Sequence, residues 1–223
     1  MRTLNLLNLA AVSLWLMASL ASASPTQPTN GVEYRTLTTA QPVTTTGKKV
    51  EVIEFFMYHC PACYQLEPQL LEWVKKQGSN IVFRRIHLPH TGARDAEAHM
   101  FLALESLNLE QSMHAKLLTT WHVEHHQLTT DDDNIDWAIK NGIDKNKFID
   151  TYYSFSVTSK LSNLMRVAES YLVNSTPTLV IDGRYITDPG QIQQSDPAMS
   201  PDGLDAAMLK VADVLVEKAK LTK

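Results

Sequence analysis

The sequence lacks several features that define large classes of protein. It has only two cysteines in 223 residues, Cys60 and Cys63, which excludes a small domain held together by several disulfides. Two cysteines also cannot supply a four-ligand zinc site without histidines. The formal net charge is -4, so no broad basic surface predicts binding to nucleic acid. With 44% apolar and 20% charged residues, the composition is that of a globular protein with one domain, or one domain carrying an insert.

The first 23 residues have the pattern of a signal peptide. Arg2 precedes an apolar stretch at residues 4–20, and Ala-Ser-Ala at residues 21–23 is typical of a cleavage site. A transmembrane anchor is the alternative, but the stretch is short, contains polar residues and has no basic stop signal after it. We therefore predict that residues 1–23 are removed on export, which leaves both cysteines in a compartment where disulfides persist.

Apolar periodicity predicts strands before and after a long helical segment. Residues 50–58 are β-branched and aromatic, as in a buried central strand. An amphipathic helix follows them, and then a second strand at residues 81–88, which is the order of a parallel βαβ unit. Residues 178–186 have the pattern of a hairpin with an Asp-Gly turn, so the sheet is predicted to be mixed.

These elements predict an α/β fold that is split by an all-helical insert. The helical spacing of apolar residues continues from about residue 91 to residue 173 without a comparable strand pattern. After the signal peptide, the predicted divisions are residues 24–90 for the first half of the core, 91–173 for the insert and 174–223 for the second half with its hairpin and C-terminal helix.

The two cysteines stand where a strand meets a helix. Pro61 suits the first helical turn, because the N–H group that it lacks would have no partner there. Free N–H groups and the helix dipole favour an anion at this position, so we expect a lowered pKa for the Cys60 thiol. Two residues separate Cys60 from Cys63, which allows a disulfide. Cys60 is then the exposed attacking group, and Cys63 is the more buried thiol that resolves a mixed disulfide.

Two other interpretations of this pair are open. A disulfide across so short a loop would stabilise by roughly 2 kcal/mol, against about 4.7 kcal/mol for a 100-residue loop, so a purely structural role is a poor use of one disulfide. The second is half of a metal site, completed by His59 with His87 or His90. Export, the strand–CxxC–helix context and the lack of a second clustered ligand pair argue against a metal. We therefore predict neither a metal nor another cofactor.

Two segments of the chain resemble the DsbA family, the thiol:disulfide interchange proteins of the Gram-negative periplasm. One is the active-site segment from Glu54 to Glu67, EFFMYHCPACYQLE. The other is the cis-proline segment with its hairpin, STPTLVIDGRY at residues 175–185, and residues 34–37 match the short first strand of the family. The resemblance covers essentially the whole mature chain. It implies a thioredoxin fold, a mixed central sheet flanked by helices, with an inserted all-helical subdomain.

The resemblance also implies an activity and partners. The protein would oxidise unfolded exported proteins with free thiols in the periplasm, through a mixed disulfide at Cys60. A membrane quinone reductase of the DsbB type would reoxidise it, and it would act as a monomer. A reductase or isomerase of the same fold is one alternative, although isomerases of this group usually carry a dimerisation domain, for which the residues before Tyr34 leave no room. An exported metal- or peptide-binding module is the other.

Further site residues follow from the resemblance. It implies a cis bond between Thr176 and Pro177, which places this loop against the cysteines and offers the Thr176 backbone to an extended substrate segment. Ala62 departs from the best-known member of the family, which has histidine there. Without that cation we expect a smaller lowering of the Cys60 pKa and a weaker oxidant. His59 could compensate, and a histidine without a role is an equal alternative.

Two glutamates match acidic positions of the family segment. Glu54 lies in an otherwise apolar strand, and Glu67 follows Cys63 by four residues on the helix. A part-buried carboxylate can carry the proton of Cys63. The alternatives are that Glu54 reaches water at the strand end and that Glu67 belongs to a solvated helix face.

The histidine-rich run at residues 121–126 is the remaining candidate motif. It does not match H-E-x-x-H, and its spacing does not place a set of metal ligands on one helix face. We therefore expect a solvated or loop segment. Met57 and Tyr58, at the end of the central strand, could line an apolar peptide groove or pack in the core.

Overall fold

The computed structural model describes residues 27–223, so the predicted signal peptide lies outside the described residues. The strands are β1 (Arg35–Thr36), β2 (Val50–Phe56), β3 (Ile81–His87), β4 (Thr178–Ile181) and β5 (Tyr185–Thr187). The helices of this part of the chain are α1 (Pro61–Gln77), α2 (Ala96–Ser106), α3 (Glu110–His122), α4 (Asp131–Lys140), α5 (Lys145–Tyr152), α6 (Phe155–Ser170), α7 (Pro189–Ser195) and α8 (Pro201–Lys220). None of them combines the length and the apolar character that a membrane crossing requires.

The five strands form one mixed sheet in the order β1-β5-β4-β2-β3. β2 is a central strand, parallel to β3 and antiparallel to β4. All seven of its residues are buried, as its β-branched and aromatic composition predicts. Two of them are glutamates, Glu51 and Glu54, which need charged or hydrogen-bonding partners at such depth.

The predicted strand–helix–strand unit is confirmed by β2, α1 and β3. Leu66, Leu70 and Trp73 lie on the buried face of α1. The helix ends at Gly78, whose φ of 53° lies in the left-handed region that glycine adopts most readily. The start of α1 is therefore fixed directly after the central strand, where the cysteines lie.

Between β3 and β4 the chain forms helices only, from α2 to α6. Their apolar residues pack with one face of the sheet, including Phe55 and Phe56 of β2, in one core. A second core joins the other face of the sheet to α1 and α8. By residue type Asp131, Asp132 and Asp133 are cap candidates for α4, but Thr130 caps the helix, and its hydroxyl accepts the backbone N–H of Asp133.

The hairpin of β4 and β5 is also as predicted. Asp182 and Gly183 have φ values of 53° and 65° at its turn. A Cβ atom on Gly183 would lie 2.3 Å from the carbonyl oxygen of Gln41, so a side chain does not fit there. The short helix α7 was not predicted, because only one of its residues, Ile192, is buried and no apolar stripe marks it.

Candidate active site

Cys60 is the residue that caps the N-terminus of α1. Its backbone is extended, with φ of -77° and ψ of 113°, and its Sγ accepts the N–H of Cys63 at 3.3 Å. Cys63 lies one helical turn further on, and both are free thiols. The position predicted for the pair, at the junction of strand and helix, is therefore confirmed.

The predicted exposure of Cys60 is wrong, because the residue is only 7% exposed. The loop before β4 covers it: the carbonyl oxygen of Thr176 lies 3.6 Å from the Cys60 Sγ. Cys63 is deeper, at 2%, so the expected order of burial holds. Pro61 and Ala62, next to Cys60 on the first turn, are exposed. A substrate sulfur therefore has to approach Cys60 along this turn and the Thr176 loop.

The Thr176–Pro177 peptide bond is cis, as the resemblance implied. Pro177 itself is buried, and Thr176 is half-buried immediately before β4. This arrangement brings a segment 116 residues away in sequence onto the Cys60 sulfur.

The two thiols have opposite electrostatic surroundings. The hydrogen bond from the Cys63 thiol lowers the pKa of Cys60 to about 6, against the opposing effect of burial. The backbone N–H groups of Cys63 and Ala62 lower it further, as expected at a helix N-terminus. Burial, followed by the neighbouring Cys60, raises the pKa of Cys63 far above its ordinary value. At neutral pH Cys60 is therefore a thiolate and Cys63 a thiol.

A buried charge cluster lies beside the cysteines, and we define it as Glu54, Glu67, Arg85, Glu110 and His114. Its centre is the Arg85 guanidinium, which donates to Glu54 at 2.8 Å, to Glu67 at 2.9 Å and to Glu110 at 3.3 Å. Arg85 comes from β3, Glu110 and His114 from α3. The sequence did not identify these three, because only the tertiary fold brings them to the glutamates.

The charge cluster excludes the two alternatives in which Glu54 and Glu67 are in contact with water. Glu67 was expected on a solvated helix face, but it is only 7% exposed, because Arg85 pairs with its charge inside the protein and His114 Nε2 lies 3.5 Å from it. Glu54 does not reach water either, being 1% exposed.

Burial raises the pKa of Glu54 to about 7, although the charge of Arg85 opposes this shift. Burial also acts to raise the pKa of Glu67, but the hydrogen bonds and charges of His114 and Arg85 outweigh it and leave that pKa below its ordinary value. Glu54 can therefore exchange a proton near neutral pH, whereas Glu67 stays ionised. Proton transfer between Glu54 and Cys63 stays a prediction.

His59, directly before Cys60, has a partner that the sequence did not reveal. Its Nδ1 donates to Glu97 Oε1 at 2.6 Å, and its backbone N–H donates to Glu97 Oε2 at 3.0 Å. Glu97 lies in the first turn of α2, 38 residues away in sequence. No local pattern could have indicated this contact, because it depends on how the helices between β3 and β4 fold back onto the sheet.

A cavity of about 480 Å³ opens beside His59 and Pro61, between the start of α1 and the end of α3. Trp121, His122 and His125 line it, so the prediction for the histidine-rich run is wrong at its first two residues. Trp121 and His122 belong to α3 and are half-buried, and His122 Nε2 donates to the carbonyl of Tyr58 at 2.8 Å. Residues 123–126 are exposed as expected. Within residues 27–223, no three His, Cys, Asp or Glu side chains are grouped so that they could hold a metal ion.

Exchange of bonds between sulfurs is the chemistry that a stabilised thiolate and a buried thiol one turn away can perform. On this sheet, with a cis-proline loop over the thiolate, it defines a thiol–disulfide oxidoreductase of the thioredoxin fold. Residues 51–206 match the family described as "DSBA-like thioredoxin domain". The chain belongs to this family, as the resemblance of its two motifs indicated.

Curated relatives support the same assignment. The thiol:disulfide interchange protein DsbA of Burkholderia cepacia is 36% identical over 184 residues, which are 82% of this chain and 87% of the relative. DsbA of Pseudomonas aeruginosa is 34% identical over 215 residues, or 96% and 97% of the two chains. A crystal structure of Pseudomonas aeruginosa DsbA matches with a TM-score of 0.74 and 34% identity, covering 87% of this chain and 95% of that one. These relatives support a disulfide-introducing oxidoreductase and do not favour a reductase, an isomerase or a binding module.

Proposed function

We propose that the protein is a periplasmic dithiol oxidase that exchanges disulfides with exported proteins at Cys60. The observation that carries this proposal is the position of the Cys60 sulfur, between the N–H of Cys63 at 3.3 Å and the Thr176 carbonyl at 3.6 Å. The N–H of Cys63 stabilises this sulfur as a thiolate, and the Thr176 backbone beside it can pair with a substrate strand.

The reaction transfers two electrons from a substrate dithiol to the protein; of the two protons that the dithiol loses, Cys63 takes up one and the solvent receives the other. A substrate thiolate attacks Sγ of Cys60 in the Cys60–Cys63 disulfide, and Cys63 leaves. Because its pKa is raised by burial, Cys63 takes up a proton and remains a thiol. A second substrate thiolate then attacks the substrate sulfur of the mixed disulfide, and Cys60 leaves as a thiolate. The substrate gains a disulfide, and the protein is released with both cysteines reduced.

The stabilised thiolate also sets the direction of the reaction. The folded Cys60 has a pKa of about 6 against an ordinary value of 9.0, so the reduced protein gains stability as the pH rises above about 6. At pH 7, one unit above that pKa, the gain is about 1.4 kcal/mol. A dithiol protein whose reduced form is stabilised is the stronger oxidant.

The working cycle needs an electron acceptor, since each turnover leaves the protein reduced. We assign reoxidation to a membrane quinone reductase of the DsbB type, and action as a monomer in the periplasm. The signal-peptide pattern at residues 1–23 supports this location. In the same proposal, residues 24–90 and 174–223 form the redox core and residues 91–173 the insert, which supplies Glu97, Glu110 and His114 to the site.

Redox equilibrium separates an oxidase from a reductase of the same fold. Equilibrated with glutathione at pH 7, the Cys60–Cys63 pair is expected to have a potential well above the roughly −270 mV of thioredoxin, because the Cys60 thiolate stabilises the reduced form. Trapping of thiols in intact cells should accordingly find the pair mostly oxidised. A thioredoxin-like potential together with a mostly reduced pool in the cell would identify a reductase instead.

A further inference from the structure

We propose that His59, held in place by Glu97, supplies the positive charge that stabilises the Cys60 thiolate in this protein, where Ala62 offers none. The inference deepens the proposed function and rests on Cys60 being its nucleophile. His59 is the electrostatic group in this proposal, and Glu97 is a positioning residue that acts through it.

The geometry of Glu97 is the first argument. Both of its carboxylate oxygens are used on one residue: Oε1 accepts from the His59 ring at 2.6 Å and Oε2 from the His59 backbone at 3.0 Å. Two contacts to ring and backbone fix the imidazole relative to the peptide that leads into Cys60. Hydrogen bonds between charged partners are shorter than neutral ones, at about 2.7–2.9 Å for N–H···O, so a separation of 2.6 Å favours the imidazolium form.

The burial of the pair is the second argument. The His59 side chain is 30% exposed and that of Glu97 only 12%, so water screens their interaction less than it screens a surface ion pair. Glu97 is also 3.7 Å from Nε2 of His87, which is fully buried. Although burial opposes it, the hydrogen bond from His59 and the proximity of His87 lower the pKa of Glu97 to about 2, so the carboxylate keeps its charge throughout the working range of pH.

Coupling between His59 and Cys60 is the third argument. The hydrogen bond to Glu97 raises the pKa of His59 most, against burial, and the Cys60 thiolate raises it further. An electrostatic coupling is reciprocal, so a protonated His59 must lower the pKa of Cys60 by the same free energy. Besides Glu97 and Cys60, the titratable groups around His59 are Asp95 before α2, His87 on β3, and His90, whose ring lies 5.2 Å away. His122 and His125 face it across the same cavity.

The experiment that tests this proposal measures the pKa of Cys60 in the full mature protein and in single variants of it. In His59→Ala we expect the Cys60 pKa to rise by about one unit, the low end of the effect of a nearby opposite charge, because the imidazole is partly exposed. A pKa higher by one unit lowers the thiolate fraction about tenfold at pH values below the pKa. A tenfold change in the equilibrium constant with glutathione corresponds to about 30 mV in the reduction potential. Glu97→Gln should shift Cys60 in the same direction by less, and should lower the pKa of the His59 ring measured by NMR.

Two further variants separate charge from structure. His59→Lys keeps a cation at higher pH and should restore the low Cys60 pKa, which a merely structural role for the imidazole would not explain. His90→Ala removes a neighbouring histidine that does not hydrogen-bond to Glu97 and should leave the Cys60 pKa unchanged.

The possible failures are distinguishable. If the native Cys60 titrates near its ordinary pKa, the proposed function and this inference both fall. If the native Cys60 is acidic and remains equally acidic in folded His59→Ala, the proposed function stands and the role of His59 and Glu97 is excluded.

Discussion

Replacement of Cys63 by serine is expected to turn the protein into a trap for its substrates. The Cys60 thiolate of this variant attacks a disulfide of a substrate protein, forms a mixed disulfide and expels the other sulfur as a thiolate. No second thiol of the protein lies one helical turn away to attack that bond, so the complex persists until the freed thiolate of the substrate attacks it. Non-reducing electrophoresis and intact mass should show one-to-one complexes that dissociate on reduction, and dithiol oxidation should be abolished.

The matched control is Cys60→Ser, which changes the same atom in the neighbouring position of the pair. It should form no covalent complex, because burial holds the pKa of Cys63 so high that it does not attack. Oxidation should be lost here as well. Retained biological activity in both variants would show that the cysteine pair is incidental and would favour a binding module.

The largest loss of stability is expected from Arg85→Leu, which removes the guanidinium at the centre of the buried charge cluster. Glu54 and Glu67, 1% and 7% exposed, then lose the cation that pairs with both carboxyl groups. Breaking a buried ion pair by removing one partner costs about 3–5 kcal/mol. Unfolding of the reduced protein in urea measures this difference in free energy. The control is Lys160→Met, which breaks an exposed pair with Glu105 and should cost no more than about 1 kcal/mol.

The deficit of Arg85→Leu should also depend on pH. Burial already raises the pKa of Glu54 to about 7, above its ordinary 4.5, so the stability from its bound proton is complete below about pH 4.5 and is lost as the pH rises through 7. Loss of Arg85 raises that pKa further, so the variant should be closer to the native protein at pH 5 than at pH 8. A loss below 1 kcal/mol at pH 8 would show that the cluster does not need its cation.

The order of strands and helices could be predicted because apolar periodicity is a local signal. β2, α1 and the β4–β5 hairpin each have a complete apolar pattern within a short segment. The helix α7 has no such pattern, since its one buried residue defines no face.

In the candidate site, too, the residues of local motifs could be predicted and the contacts between distant segments could not. The roles of Cys60 and Pro61 could be predicted because both residues belong to one short sequence motif. The same holds for Thr176 and Pro177. The groups that surround the Cys60 sulfur could not be predicted in this way. Thr176 covers Cys60 in the fold but lies 116 residues away in sequence, which is why Cys60 was wrongly expected to be exposed. Glu67 was likewise wrongly expected to be solvated, because Arg85, the cation that allows its burial, comes from β3.

The most direct test of the account is the pH dependence of alkylation of the fully reduced native protein by iodoacetamide, with mass spectrometry to identify the modified cysteine. Cys60 alone should react, and its rate should reach half of its maximum near pH 6, the pKa that the surroundings of this sulfur give it. A midpoint near the ordinary thiol pKa of 9.0, or a Cys60 that does not react below pH 8, would contradict it.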